Sequence, residues 1–197
     1  MTNATFPPAA ILVPGEQFIL AELHAMKLDG VLAAVIGEAF RSTTQEETPG
    51  HRAAALVHHI PAAMAPRAVL GQLSAAWVYG CAPPPTVIAL LQNHEGKSAS
   101  LPPFSGCTLR QVYLSPQEVL SIGGVLVTSP LRTALDVART APEALARAVL
   151  EALSRESAFR CSLGRIRQAL QAATHVPGKL RGLDLVQGMI DADALRS

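Results

Sequence analysis

Blocks of apolar residues at helical spacing fill much of the first 60 residues. Two blocks, 20–27 and 31–40, are separated by the polar break Leu28-Asp29-Gly30, and their spacing predicts two short helices. Two helices joined by a tight break are typical of a helix-turn-helix. Residues 41–47 are polar, which predicts a loop, or a wing if the element is a winged variant.

Thr48 followed by Pro49 predicts the start of a third helix, because threonine caps helices and proline suits the first helical position. Its apolar positions run to about His58, and two prolines follow closely. We therefore expect two domains. Residues 1–60 would form a degenerate winged helix-turn-helix-like region, and residues 61–197 an α+β main domain.

After residue 67 the pattern changes to short apolar runs bounded by turn-forming residues. These runs predict strands over 68–70, 86–91, 107–114, 119–122 and 125–128. The last two flank Gly123-Gly124, a composition that favours a two-residue hairpin turn. Between the first two runs, Ser74 is predicted to cap a short helix that ends near Tyr79.

The rest of the chain follows a helical period. Helices are predicted from Ser129, over 143–156, from Ser162 and after Pro177-Gly178. The expected fold class is therefore α+β, with an N-terminal winged-helix-like helical appendage followed by a small mixed sheet covered by helices.

Composition narrows the class of protein. Hydrophobic residues make up 49% of the chain and charged residues 16%, which excludes intrinsic disorder. Glycines and prolines interrupt the charge-free stretches, so none predicts a membrane-spanning helix. The N-terminus has no Lys or Arg before its first apolar run, which argues against a secretory signal. We expect a cytoplasmic protein without a membrane partner.

The residue types that carry catalysis are not arranged in any familiar spacing. The three cysteines and six histidines are scattered, and no cysteine pair has the two-residue gap of a zinc site. The sequence has no phosphate loop, catalytic triad or paired catalytic carboxylates. We therefore expect no bound metal, no cofactor and no enzymatic activity.

Several segments resemble a known family. LSAAWVYG at 73–80, SIGGVLVTSPLRTALD at 121–136 and the Pro177-Gly178 stretch are similar in order and spacing to actinobacterial AbiEi-like antitoxins of type IV toxin-antitoxin systems. The resemblance runs from about Gly15 to the end of the chain, and its small and apolar positions indicate a fold more than a function.

The resemblance implies a winged-helix element that binds operator DNA and a following domain that neutralises a nucleotidyltransferase-type toxin. Many relatives continue into a nuclease-like domain, whereas this chain stops before it, so no nuclease activity is expected. The predicted function is an antitoxin-like transcriptional regulator. The alternative is a protein-interaction module without DNA binding, which the acidic N-terminal third favours.

Three residues of the familiar segments are candidates for binding a protein partner. Arg132 and Asp136 lie four apart at the start of a predicted helix. An ordinary ion pair within one helix also explains them, and it is the favoured interpretation. Trp77 is either a core residue or an exposed partner anchor.

Charge is distributed unevenly along the chain. Residues 1–60 carry three basic and six acidic groups, a net charge of −3, whereas residues 101–197 carry eleven basic and eight acidic groups, a net charge of +3. Attraction to nucleic acid must come from the second half, and we expect any DNA binding to be weak. The densest basic set is Arg155, Arg160, Arg165 and Arg167, either a solvated helix face or a patch for nucleic acid or an acidic partner.

Overall fold

The computed structural model describes residues 10–94, 100–174 and 176–195. Within these ranges the chain forms seven α-helices, a mixed five-stranded sheet and a two-stranded antiparallel sheet. The predicted α+β class is confirmed. In the same part of the chain, no helix has both the length and the apolar character of a membrane span.

Two compact units account for the fold. The first comprises Met1–Leu70, Thr86–Ser115 and Val119–Val127, and the second comprises Gly71–Pro85, Pro116–Glu118 and Thr128–Ser197. Residues 1–60 are thus grouped with most of the sheet. The expectation that they form a domain of their own stays a prediction.

The first unit contains two helices and the strands. The helices are α1 (Leu20–Leu28) and α2 (Pro49–Val57). The strands, in chain order, are β1 (Leu32–Ile36), β2 (Ala39–Ser42), β3 (Val69–Leu70), β4 (Ile88–Asn93), β5 (Cys107–Val112), β6 (Val119–Ile122) and β7 (Val125–Thr128).

The predicted second helix over residues 31–40 is wrong. Residues of this stretch form β1 and β2, an antiparallel hairpin in which Ala34 pairs with Phe40. The alanines and aliphatic residues here fit either period, but Gly37 adopts a positive φ of 53° at the turn, a conformation that ends a helix. The described residues 20–42 are therefore a helix followed by a hairpin, not a helix-turn-helix.

A small core of its own holds this helix and hairpin together. Leu23, Leu32 and Phe40 are buried, and Leu12 and Phe18 pack against them. The backbone of Leu12 also exchanges two hydrogen bonds with that of Phe40, at 2.8 and 2.9 Å. Apolar burial and backbone pairing thus fix the hairpin against α1.

Helix α2 begins where the sequence predicts. The Thr48 hydroxyl accepts a hydrogen bond from the His51 backbone N–H at 3.3 Å. Gly123, at the turn between β6 and β7, lies so close to α2 that a Cβ there would sit 3.3 Å from the Gly50 backbone. Gly123 and Gly124 both have positive φ, 58° and 84°, as a primed hairpin turn requires.

The larger sheet has the strand order β5-β4-β3-β7-β6. β3 is antiparallel to β4 and parallel to β7, while β4 and β5 are parallel. The five predicted strands are confirmed, although β4 begins two residues later than expected, at Ile88. β3 and β4 are almost wholly buried, which explains their uninterrupted apolar sequences.

The second unit is helical. It contains α3 (Gln72–Val78), α4 (Pro130–Thr140), α5 (Glu143–Arg155), α6 (Leu163–Ala172) and α7 (Lys179–Ala194), with 3-10 turns at Pro116–Glu118 and Ser157–Phe159. Helix α4 contacts each of the other four. Ser129 and Ser162 cap α4 and α6 as predicted, but Ser74 does not cap α3, because that helix begins at Gln72 and buries Ser74 inside it.

Candidate functional site

A cleft of about 360 Å³ opens beside the first turns of α4. Its lining comes from four segments of the second unit: the 3-10 turn before β6, the start of α4, the loop that joins α5 to α6, and the first turn of α6. The lining residues are Gln117, Glu118, Ser129, Pro130, Leu131, Arg132, Leu135, Phe159, Arg160 and Arg165. Three of them are arginines, so the cleft is basic.

Arg132 is fixed from both sides by carboxylates. Its Nε donates to Asp136 Oδ2 at 3.0 Å and its Nη1 donates to Glu118 Oε1 at 2.9 Å. The second carboxylate oxygen of Asp136 accepts from Arg139. The Arg132 side chain is 11% exposed and that of Asp136 is 4% exposed, so these residues form a buried charge network. Arg132 and Asp136 are therefore not an isolated ion pair on the surface.

The network keeps Arg132 charged. Burial alone would lower the pKa of its guanidinium, but Asp136 and Glu118 more than offset that effect, so the pKa is raised. Its Nε and Nη1 groups donate to carboxylates, and the side chain also lines the cleft. Arg132 is therefore a cation of fixed position at the cleft wall.

Arg160 in the α5–α6 loop and Arg165 in the first turn of α6 both line the cleft. Arg160 follows the 3-10 turn in a left-handed conformation, with φ 48° and ψ 43°. Ser162 caps α6 by accepting from the Arg165 backbone N–H at 3.3 Å, and Arg165 Nη1 donates back to the Arg160 carbonyl at 2.8 Å. The Arg165 side chain is thus held against the Arg160 backbone.

The predicted basic set is divided by the structure. Arg160 and Arg165 line the cleft together with Arg132. Arg155 lies outside the cleft and pairs with Glu151 at 2.5 Å, and Arg167 donates to Gln187 on α7 at 2.9 Å. The four arginines are close in sequence but face different neighbours. Their side chains point in different directions because they lie on different loops and helix faces.

Four apolar residues also line the cleft and form its apolar wall. They are Pro130, Leu131 and Leu135 in the first turns of α4 and Phe159 from the 3-10 turn before α6. The Phe159 ring meets Tyr79 edge to face, with centroids 5.2 Å apart, and the Tyr79 hydroxyl donates to the Thr128 carbonyl at 2.7 Å. These contacts hold the aromatic ring in place.

Trp77 does not contribute to this surface. It is 5% exposed and lies on α3. The core interpretation of this residue therefore fits the structure, and the exposed partner anchor does not.

Cys161, a buried residue, follows Arg160 in the chain. Its thiol donates to the Pro130 carbonyl at 3.7 Å, which ties the α5–α6 loop to the start of α4. Burial raises the pKa of the thiol to about 11, although Arg165 opposes the shift. Cys161 therefore remains protonated at neutral pH and acts in packing, not as a nucleophile.

The chemistry available here is anion binding. Of the residues that line the cleft, all in the described part of the chain, Glu118 alone is a carboxylate, and Arg132 neutralises it. Guanidinium groups bind carboxylates and phosphates through paired hydrogen bonds. In the ranges that the structure describes, no three His, Cys, Asp or Glu side chains gather to hold a metal.

Sequence reasoning found part of this site. Arg132, Arg160 and Arg165 are all predicted as candidate site residues, but Arg132 is grouped with Asp136 and Trp77 for a protein partner, because it lies in a segment that carries the family resemblance. Glu118 and Phe159 are not predicted as site residues. The cap residues Ser129 and Ser162 predict where two helices begin. They were the only local signals in the sequence near this site.

Comparison with protein-family models and curated proteins identifies no relative of this chain. The sequence matches no protein-family model, and a search of curated proteins finds no match. The resemblance to AbiEi-like antitoxins therefore stays a prediction from the sequence segments that carry it.

Proposed function

We propose that this protein is a non-catalytic, antitoxin-like regulator that binds an acidic segment of a nucleotidyltransferase-type toxin in the arginine-lined cleft. The observation that carries the proposal is the convergence of Arg132, Arg160 and Arg165 on one cavity. The family resemblance supplies the type of partner. We propose that the protein acts in the cytoplasm, as expected from the sequence.

Protein recognition suits the cleft because it joins cations to an apolar wall. A carboxylate of the partner would pair with Arg160 or Arg165, and a neighbouring aliphatic or aromatic side chain would pack against Phe159 and Leu135. Interfaces concentrate binding energy in such arginine and aromatic positions. Arg132 needs little reorganisation on binding, since its carboxylate contacts already restrict it.

Binding of operator DNA has weaker support, and the second candidate is an interaction module without DNA binding. In the N-terminal region, Arg41 and Arg52 both face Glu47, at 3.8 and 2.6 Å. Glu38 is exposed at the turn between β1 and β2. Phosphate contacts need cations that are not already neutralised, and this arrangement favours the second candidate for residues 1–60.

Co-expression with a neighbouring gene product tests the proposal. The tagged chain would be expressed with each protein encoded by a neighbouring gene, and both co-purification and relief of growth arrest caused by a nucleotidyltransferase-type protein would be measured. We expect the wild-type chain to retain and neutralise the partner. Arg160→Ala combined with Arg165→Ala should abolish both effects, because two cleft cations are removed.

The matched control combines Arg147→Ala with Arg155→Ala. It removes the same charge from exposed arginines that pair with Glu143 and Glu151 on their own helix, and it should behave as wild type. A wild-type chain that neither retains nor neutralises the neighbouring protein would overturn the proposal.

A further inference from the structure

We infer that the cleft also binds a nucleoside monophosphate, whose phosphate lies on the arginines and whose base lies on the Phe159 side. Such a ligand would occupy the space proposed for the acidic segment of the partner and so would regulate its binding. This regulatory consequence rests on the proposed function. The binding itself concerns this chain alone.

The size of the cleft fits a small phosphorylated ligand. Its volume of about 360 Å³ falls in the lower part of the range typical of small-molecule sites. A single phosphate would leave most of this space unfilled, whereas a phosphate joined to a sugar and a base would fill it.

The charge of the cleft fits a phosphate better than a single carboxylate. Arg132 is already paired with Glu118 and Asp136, and Arg160 and Arg165 add two further cations beside it. A phosphate monoester carries close to two negative charges at neutral pH and has three terminal oxygens. It can therefore meet Arg160 and Arg165 at once, beside the paired Arg132.

The apolar wall provides a surface for a planar base. Phe159 is only partly buried, and the contact with Tyr79 fixes its ring. Leu131 and Leu135 lie in the same lining. Aromatic side chains favour stacking with nucleic-acid bases of any sequence, so the wall suits a nucleobase and does not select one base over another.

The backbone at Arg160 provides an independent observation. A non-glycine residue with φ 48° and ψ 43° occupies a region of backbone space that glycine enters at lower cost. Such strain often accompanies functional positions, where the side chain is needed despite the backbone cost. Here that side chain lines the cleft, which indicates that its guanidinium is retained for binding.

The strained position supplies a sharp test. Arg160→Gly removes the guanidinium and relieves the backbone, so the variant should melt at or above the temperature of the parent. We expect its affinity for AMP, measured by calorimetry on the purified chain, to fall by at least about tenfold, the effect of removing one charge-assisted hydrogen bond. Arg155→Gly serves as the exposed control and should leave AMP affinity unchanged.

Fragments of the ligand measure separately what its phosphate and its nucleoside contribute to the affinity. AMP, GMP, CMP and UMP should bind the parent with similar affinities, whereas adenosine and inorganic phosphate should each bind at least about tenfold more weakly than AMP. Inorganic phosphate binding as tightly as AMP would overturn the inference, because the apolar wall would then contribute nothing. So would Arg160→Gly binding AMP as well as the parent, or no binding of any of the four monophosphates.

Competition tests the regulatory consequence. Saturating AMP should release a nucleotidyltransferase-type partner from the immobilised chain, and adenosine at the same concentration should not. If the chain binds AMP but never binds such a partner, the proposed function fails while the nucleotide site stands. If the partner binds and AMP does not, the nucleotide site fails while the proposed function stands.

Discussion

The N-terminal region and the cleft beside α4 use their charged residues in opposite ways. In residues 10–60, Arg41 and Arg52 share the carboxylate of Glu47, and exposed Glu38 lies at the hairpin turn. In the cleft, carboxylates fix the position of Arg132. Arg160 and Arg165 line the same cavity.

This difference shows that a count of charges along the chain is a poor guide to where an anion binds. What matters is whether each cation is neutralised where it stands. In the first region Arg41 and Arg52 are both paired with Glu47. In the cleft Arg132 is paired as well, whereas the exposed Arg160 and Arg165 form no ion pair with a carboxylate among the described residues. This difference between the two regions can be tested by substitutions that remove the cations or the carboxylates paired with them.

The largest effect should come from the network that positions Arg132. Asp136→Ala leaves Arg132 and Arg139 as buried cations without their shared carboxylate, so we expect the free energy of unfolding to fall by about 3–5 kcal/mol. Urea denaturation measures it. Glu143→Ala, which breaks the exposed pair with Arg147, should cost less than about 1 kcal/mol. Equal decreases for the two variants would contradict the buried network.

A second prediction concerns any binding of duplex DNA. Arg160→Ala combined with Arg165→Ala should reduce the salt dependence of binding, the slope of log K against log salt, by about two, because each arginine that neutralises a phosphate contributes about one. Arg147→Ala combined with Arg155→Ala should not change it. If instead the cleft variant binds as the parent does and changes in the β1–β2 hairpin abolish binding, the N-terminal region is the DNA-binding element.

The N-terminal region can be made to resemble the cleft by freeing its cations. Glu47→Gln removes the carboxylate that faces Arg41 and Arg52, so weak DNA binding should strengthen and its salt slope should increase by about one. Glu46→Gln makes the same change of net charge at an exposed neighbour that no arginine contacts among the described residues. Identical results for the two variants would show that net charge alone controls binding.

The smallest effect should be a pH dependence confined to the N-terminal region. His51 Nδ1 accepts from the Thr48 N–H at 3.2 Å, and Nε2 lies 3.2 Å from Gln45 Oε1, a pattern that suits the neutral ring. Burial, followed by Arg41, lowers the pKa of His51 below its ordinary value of 6.5, although Glu47 opposes the shift. Protonation therefore favours the unfolded chain.

The contribution of neutral His51 to stability should be fully present above about pH 6.5 and should disappear as the pH falls through its lowered pKa. Urea denaturation at a series of pH values measures this dependence. His51→Gln should flatten the profile, whereas His58→Gln, at an exposed position, should keep it. A parental profile in His51→Gln would assign the pH dependence to other groups.

Local signals in the sequence were sufficient for two helix starts and one hairpin turn. Ser129-Pro130 and Ser162 cap helices through contacts within three residues, and Gly123-Gly124 satisfies a turn that needs two positive φ angles. Residues 31–40 were different, because alanine and aliphatic residues fit both a helix and a strand. There Leu12 and Leu23, distant in sequence, stabilise the hairpin.

The sequence by itself determined the α+β class, the strands of the larger sheet and the helix starts at Thr48, Ser129 and Ser162, because each depends on neighbours a few residues apart. It also determined that the cations lie mainly in the second half. Only the tertiary structure decided which arginines meet. Arg132, Arg160 and Arg165 lie on separate elements, and Glu118 and Asp136 fix the first of them by a buried network. Burial and ion pairing between elements are properties of the folded chain, so spacing along the sequence does not reveal them.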